Sequence, residues 1–568
     1  MLLCAQALPA QSAPDRADES GAHGGATPPA SFDFRHDILP RLHRQGCASA
    51  YCHGSATGRG GFKLSLFGSD PDADFRAITA DLGGRRIDLR DAAHSLLLRK
   101  PTLDLDHGGG RRLRRDDTNY RALRGWIEAG APQRIGPSRQ LDELELVERS
   151  ERLVATAHFD GAGTARRDVT TLCSFHSSDE RVVTVDGDGR LSRHGPGEAF
   201  VFARYLGHSA RLAVLRPFAE PSTLPQQRAD HALDAVWLRR LRELGLTPAP
   251  PAPPEVLLRR LYLDLAETLP RPADVAAFRA NPDPGVVADR LMRLPSFADR
   301  FGRLLAETFE IPSITDKLPG ARARLFEVQR TRLVEALRRG DTLHAIAERL
   351  LTSDRALLER HEDPRDRAEL VGRAFLGVRI GCARCHDSPV DRWRQGEHLA
   401  FAAMFASPRP RAGGGMASGV LFHPDTGTPV PPHLLPVRSQ TAPPRGLDHA
   451  AQVAWFVLRS GNRMFERNLA NRVFAALLGR GLVEPLDDHR LSNPATHEAV
   501  LAHLAEVAAG GDLRALVRHL VTSALYRASS AAGASHEVAW FARRSARPMP
   551  REPFEHAVSD ALAARPPA

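Results

Sequence analysis

Two clusters of cysteine and histidine carry the chemistry that this sequence offers. The first is Cys47, Cys52 and His53, with four residues between the cysteines; the second is Cys382, Cys385 and His386, a C-x-x-C-H pattern. The chain has 6 cysteines and 24 histidines in 568 residues, and Cys173 is the only cysteine past Cys4 outside these patterns. Chance would produce such a pattern on the order of 0.003 times. C-x-x-C-H is the pattern of covalent haem attachment. Two thiols add to the haem vinyl groups as thioethers, and the adjacent histidine is carried beneath one face of the iron. Three other readings stay open. A bare thiol pair suits zinc or thiol redox chemistry, although no second C-x-x-C completes a zinc ribbon. Buried thiols with no chemistry are the third.

An iron held this way has a sixth ligand or an open face. No methionine lies between Met1 and Met292, so the first site is not of the His/Met type. His107, in the glycine-rich run Asp106-His107-Gly108-Gly109-Gly110, is the expected distal ligand, with His94 next; His43 is too close to Cys47. The alternative for His107 is an exposed loop histidine. Two axial histidines saturate the iron and favour electron transfer over ligand chemistry. Arg111 and Arg112 are placed either to pair with haem propionates or simply to face water. For the second pattern His398, Met404 and His423 are downstream candidates, and Trp393 either stacks on a cofactor or packs in the core.

These residues need elements to hold them. Residues 31–135 read as a helical mini-domain, with apolar helical spacing at Phe34, Ile38 and Leu42 and again at Tyr120, Leu123, Trp126 and Ile127. Residues 140–217 switch to β-branched runs with turn signals such as Asp186-Gly187-Asp188-Gly189, which predicts a small all-β sandwich. Residues 218–254 read as a linker ending in a stiff proline-rich spacer. Residues 255–406 are helical, with breaks at Pro270, Pro295 and Pro312; 407–446 is a loop; 447–568 is a second helical block. The fold class expected is multidomain and mainly α, with one small all-β sandwich.

Composition narrows the function. Lys plus Arg is 77 against 68 for Asp plus Glu, a net charge of +9, but the positive charges are scattered. Without a basic patch interleaved with aromatics, nucleic-acid binding is not expected. No apolar run of about 18 residues exists for a membrane span. Residues 1–30 read as a truncated signal peptide followed by a polar leader.

The motifs resemble a known set of domains. Gly46-Cys47, Cys52-His53-Gly54, Gly60-Gly61-Phe62-Lys63-Leu64, Arg85-Arg86-Ile87 and His107-Gly108-Gly109 resemble the planctomycete-type cytochrome c domain. Asp168-Val169-Thr170, Ser177-Ser178-Asp179 and Val185-Asp186 are similar to a bacterial Ig-like group 2 domain. Arg260-Leu261-Tyr262-Leu263-Asp264-Leu265 and Phe375-Leu376-Gly377-Val378-Arg379-Ile380 resemble the first of two large domains of unknown function that accompany that cytochrome. Asn468, Asn471-Arg472-Val473, Gly479-Arg480-Gly481, Asp487-Asp488 and Asn493-Pro494 resemble the second. Ser388 stands where relatives tend to carry a histidine.

The resemblance implies haem and export, not a substrate. The expectation is an exported c-type cytochrome carrying one or two haem c groups, an electron carrier for an unidentified redox partner, in the periplasm or at the cell surface. The alternative is a surface or adhesion protein contacting a partner or glycan through the Ig-like module, with haem structural. A hydrolase or oxidase site is less supported, because no Ser-His-Asp or paired-carboxylate pattern stands out.

Overall fold

The computed structural model describes residues 32–548, apart from short internal stretches of which the longest are 161–164, 314–319 and 411–415, and a few positions between 554 and 559. The leader, with Cys4, lies outside the described residues. The chain divides into two compact units. One gathers residues up to Arg41 with Asp72–Ser138; the other gathers Leu42–Pro71 with Arg139–Ala568.

In the smaller unit the Asp33 carboxylate caps the first helical turn by accepting from His36 N at 2.9 Å. The Phe34–Ile38 turn is of the wide π type. Asp117 caps the Thr118–Glu128 helix in the same way. That helix buries Tyr120, Leu123, Trp126 and Ile127, the stripe its spacing predicts. The Phe34 ring lies 5.5 Å from Trp126 and 5.2 Å from Phe75. The Trp126 indole donates to Pro132 O at 2.9 Å, so the largest buried ring leaves no polar atom unmet.

In the larger unit eight strands follow in order: β1 (Leu141–Arg149), β2 (Arg152–Phe159), β3 (Ala165–Asp168), β4 (Ser174–Ser177), β5 (Val183–Val185), β6 (Leu191–Arg193), β7 (Gly197–Tyr205) and β8 (His208–Arg216). They form two three-stranded antiparallel sheets, β1-β2-β3 and β4-β7-β8, and the hairpin β5-β6. One apolar core joins them, built from the inward-facing alternates of β2 (Leu153, Ala155, Ala157) and β7 (Ala199, Val201, Ala203, Tyr205). β1 was not foreseen. Its pairing with β2 shifts register between Leu141 and Glu143, which breaks the two-residue alternation that reveals a strand.

The rest of this unit is helical, from the Ala232–Glu243 helix to the short Ser535–Ala539 helix. Prolines set many of the starts: Pro254, Pro272, Pro284, Pro295 and Pro364 each open a helix, where a missing N–H costs nothing. A single apolar core runs from Leu233 to Ala542 and draws on both helical blocks. The proline-rich segment differs from a free spacer. Ala249 N donates to Ala542 O at 2.7 Å, Ala252 N to Arg527 O at 2.8 Å, and Ser529 N to Pro250 O at 2.8 Å, so the segment is strapped to the second block. The fold as a whole is mixed, with twenty α-helices and several small antiparallel sheets among the described residues and no closed barrel.

Candidate functional site

The first cysteine–histidine pattern is a chain of tight turns. Cys47 N donates to Leu42 O at 3.0 Å, Cys52 N to Ser49 O at 2.9 Å, and His53 N back to Cys47 O at 3.0 Å. Gly54 closes the turn. A side chain there would stand 2.2 Å from Ala48 O, so only glycine lets the two backbone runs cross. Cys47 and Cys52 are half-buried thiols, with no disulfide between them. The segment rests on the β-sheets of its own unit: Arg44 pairs with Asp188 at 3.3 Å and reaches Thr171 O. His43, beside it, is buried next to Arg204, and burial with that like charge pushes its imidazole down to about 4.

His53 Nδ1 sits 2.9 Å from Phe62 O, and its ring packs 4.5 Å from the Phe62 ring. A carbonyl only accepts, so Nδ1 carries the proton, and in the neutral ring the lone pair is then on Nε2. His386 has the same arrangement, with Nδ1 2.8 Å from Asp387 O. So does His107, with Nδ1 2.8 Å from Gly110 O. A histidine that ligates a metal through Nε2 characteristically donates its other N–H to such an acceptor, which fixes the tautomer and the ring orientation. The three histidines singled out as axial ligands therefore share the protonation pattern that ligation through Nε2 requires. His107 is half-buried in the smaller unit, whereas Cys47, Cys52 and His53 belong to the larger one. His94, the second choice, is exposed and bonded through Nδ1 to Asp91 at 2.6 Å. Arg112 Nε donates to Gly109 O at 3.0 Å and so shapes the His107 loop.

The second pattern occupies a 3₁₀ turn, Gly381–Arg384, with Cys382 and Cys385 both exposed thiols and His386 half-buried. Arg384 fastens this turn. Its guanidinium meets Asp363 and Asp366 at 2.6 Å each and Glu369 at 3.3 Å, all from the Pro364–Val371 helix and its cap. Those carboxylates, Asp366 foremost, hold Arg384 above its ordinary pKa. Two of the three expected distal candidates are turned away. His398 is fully buried, with Nε2 3.3 Å from Glu369, and Met404 is part of the apolar core. Trp393 is 2% exposed, and the Arg392 guanidinium lies 4.5 Å from its ring centre, so packing claims both faces of the choice left open for it. Ser388 is buried, with no hydrogen-bond partner for its hydroxyl. Among the described residues no group of three or more His, Cys, Asp or Glu side chains is placed to hold a metal ion without a cofactor.

The motif residues of the two large domains interlock. Asn468 Nδ2 donates to Ala374 O and Phe375 O at 2.8 and 3.2 Å. Arg379 grips Asp487 through two bonds of 3.0 and 2.7 Å, and His489 N donates to Gly377 O. Gly377 has φ +70 and would collide with Asn468 and His489 if it carried a side chain. Asp264 takes the Tyr526 hydroxyl at 2.9 Å, Arg544 at 3.1 Å, and Arg547. Family models match these same two stretches. One is described as PSCyt2, a protein of unknown function (DUF1549), over residues 232–355 and 342–409; the other as PSD1, a protein of unknown function (DUF1553), over residues 451–564. The chain carries both domains. They are the two that accompany the planctomycete cytochrome c. No curated protein and no solved structure matches the chain.

The second cysteine–histidine pattern falls inside the PSCyt2 match, and each interlocking pair joins PSCyt2 to PSD1. The contacts are long in sequence, and those of Asn468, Tyr526 and Arg544 are buried while Arg379–Asp487 lies at the surface, so they read as an intramolecular interface with a packed centre and a polar rim. Sequence reasoning missed this, because matching residues more than 90 positions apart leaves no local period. Among the described residues no helix is long and apolar enough to cross a membrane.

Proposed function

We propose that this chain is a c-type cytochrome that holds haem covalently through Cys47 and Cys52, with His53 as proximal ligand, and a second haem through Cys382, Cys385 and His386. One observation carries the reading: at both patterns two thiols stand beside a histidine whose Nδ1 is tied to a backbone carbonyl. Haem c, when bound, supplies a one-electron couple. The chain's own part is to fix the imidazole, through Phe62 O and Asp387 O, and to present the thiols at the surface where attachment takes place. In this reading His107 stays a candidate iron ligand, supported by its bond to Gly110 O and its glycine-rich loop. The exposed second turn suits electron exchange with a redox partner protein.

Attachment of this kind takes place outside the cytoplasm, so the reading includes export to the periplasm or the cell surface. It takes residues 140–217 as an Ig-like module, supported by two antiparallel sheets closed over one core. The test is expression with haem-attachment machinery, followed by pyridine haemochrome spectroscopy. A colourless full-length product under conditions that load a control cytochrome would refute the reading.

A further inference from the structure

A cavity of about 360 Å³ opens where β8 meets the PSCyt2–PSD1 junction. That volume is at the small end of ligand pockets. Four arginines line it, Arg211, Arg392, Arg467 and Arg490, against two carboxyl groups, Asp391 and Glu498. Glu498 is already taken by Arg467, at 2.7 and 3.1 Å. Burial pushes the Asp391 carboxyl up. The cavity therefore has a surplus of positive charge.

Its wall holds unmet polar atoms. Both ring nitrogens of His489 are buried without a hydrogen-bond partner, and so is Arg490 Nε, although Arg490 Nη2 reaches Asp488 at 3.3 Å. Burial, with Arg467 and Arg472 nearby, pushes His489 down to about 4, while the Leu486 backbone pulls weakly the other way. At neutral pH the ring is thus uncharged, with one N–H to give and one lone pair to fill. Buried groups of this kind cost free energy until a partner arrives. A hydroxyl satisfies either nitrogen, and an anionic oxygen satisfies Arg490 Nε and the surplus charge.

We propose that this cavity is a binding site for a small hydroxylated carboxylate, its carboxylate toward the arginines and a hydroxyl on His489. The inference is independent of haem, because the cavity lining contains none of the cysteines of either pattern.

The experiment is isothermal titration calorimetry of the full chain with glucuronate, glucose, acetate and inorganic phosphate. Glucuronate should bind saturably, and glucose, acetate and phosphate at least tenfold more weakly. His489→Leu and Arg392→Gln should each weaken glucuronate binding by about tenfold or more, with circular dichroism and melting temperature reporting that the fold survives. Arg392 is exposed, so its variant tests the site even if His489→Leu fails to fold. No saturable glucuronate binding would overturn the proposal. So would phosphate or glucose binding as tightly as glucuronate, or unchanged affinity in a folded Arg392→Gln protein.

Discussion

At the scale of single residues, imidazole orientation is the most informative feature. His53, His107 and His386 are far apart in sequence, yet each donates Nδ1–H to a carbonyl one to nine residues from itself. Motif spacing names His53 and His386 as candidates, and the glycine-rich loop names His107; the tautomer is not legible, because the carbonyl acceptors leave no mark on the sequence. On the proposed function, Cys52→Ala weakens haem attachment and His53→Ala abolishes the low-spin spectrum of residues around the first pattern, both read by optical spectroscopy of the purified chain. His107→Met should keep the haem and raise its midpoint potential, because a thioether favours ferrous iron more than imidazole does. Potentiometric titration checks this, and an unchanged potential moves the distal role to His94.

A second residue-scale prediction concerns pH. His497 is buried, with Nε2 2.7 Å from Trp540 O and Nδ1 without a partner. Burial, together with Arg240 and Arg480, pushes it from 6.5 to about 3, against the pull of the Trp540 carbonyl. The unfolded chain therefore binds a proton that the folded chain refuses. The stability associated with this neutral ring is complete above 6.5 and is lost as pH falls from there toward about 3. By pH 5 the loss from this one group is about 2 kcal/mol. Urea titrations at pH 8 and pH 5 check it, and His497→Gln should flatten the difference.

At the scale of elements, punctuation was easy to read and partnership was not. Prolines at helix starts and the Asp117 and Asp33 caps act through neighbours in sequence. The apolar spacing places the first helix, the Thr118–Glu128 helix and the strands β2, β7 and β8 close to their true positions, whereas the Pro71–Thr79 helix, between those two helices, reads as loop in the sequence. β1 escaped because of its register shift, and the proline-rich strap because its hydrogen bonds go to residues 527–542. The Asp264 cluster belongs to the same class. It joins the Pro254–Ala266 helix to Tyr526, Arg544 and Arg547 in a buried setting. Asp264→Ala would leave Arg544, 5% exposed, as a buried cation without its carboxylate. Breaking a buried pair in this way costs about 3–5 kcal/mol. Chemical denaturation of the variant should show a loss of that size, and a loss below about 1 kcal/mol would mean that water replaces the carboxylate.

At the scale of the molecule, two family domains that are matched separately build one core. The Met464–Leu478 helix of PSD1 buries Phe465, Leu469, Val473, Phe474 and Leu477 in the same cluster as Leu258, Leu261 and Leu265 of PSCyt2. A chain ending near residue 445 would leave those PSCyt2 faces uncovered. It should bind a hydrophobic dye and be digested rapidly by protease, whereas the intact chain resists both. A stable, dye-negative fragment would show that PSCyt2 closes its own core.

The central claim is that the two cysteine–histidine patterns carry covalent haem. Intact-mass spectrometry of the chain expressed with haem-attachment machinery, with pyridine haemochrome quantification on the same sample, tests it most directly. The account predicts a mass increase of two haems, one lost when Cys47 and Cys52 are both changed to Ala and the other when Cys382 and Cys385 both are. A chain with the mass of bare polypeptide and no haemochrome spectrum would contradict it.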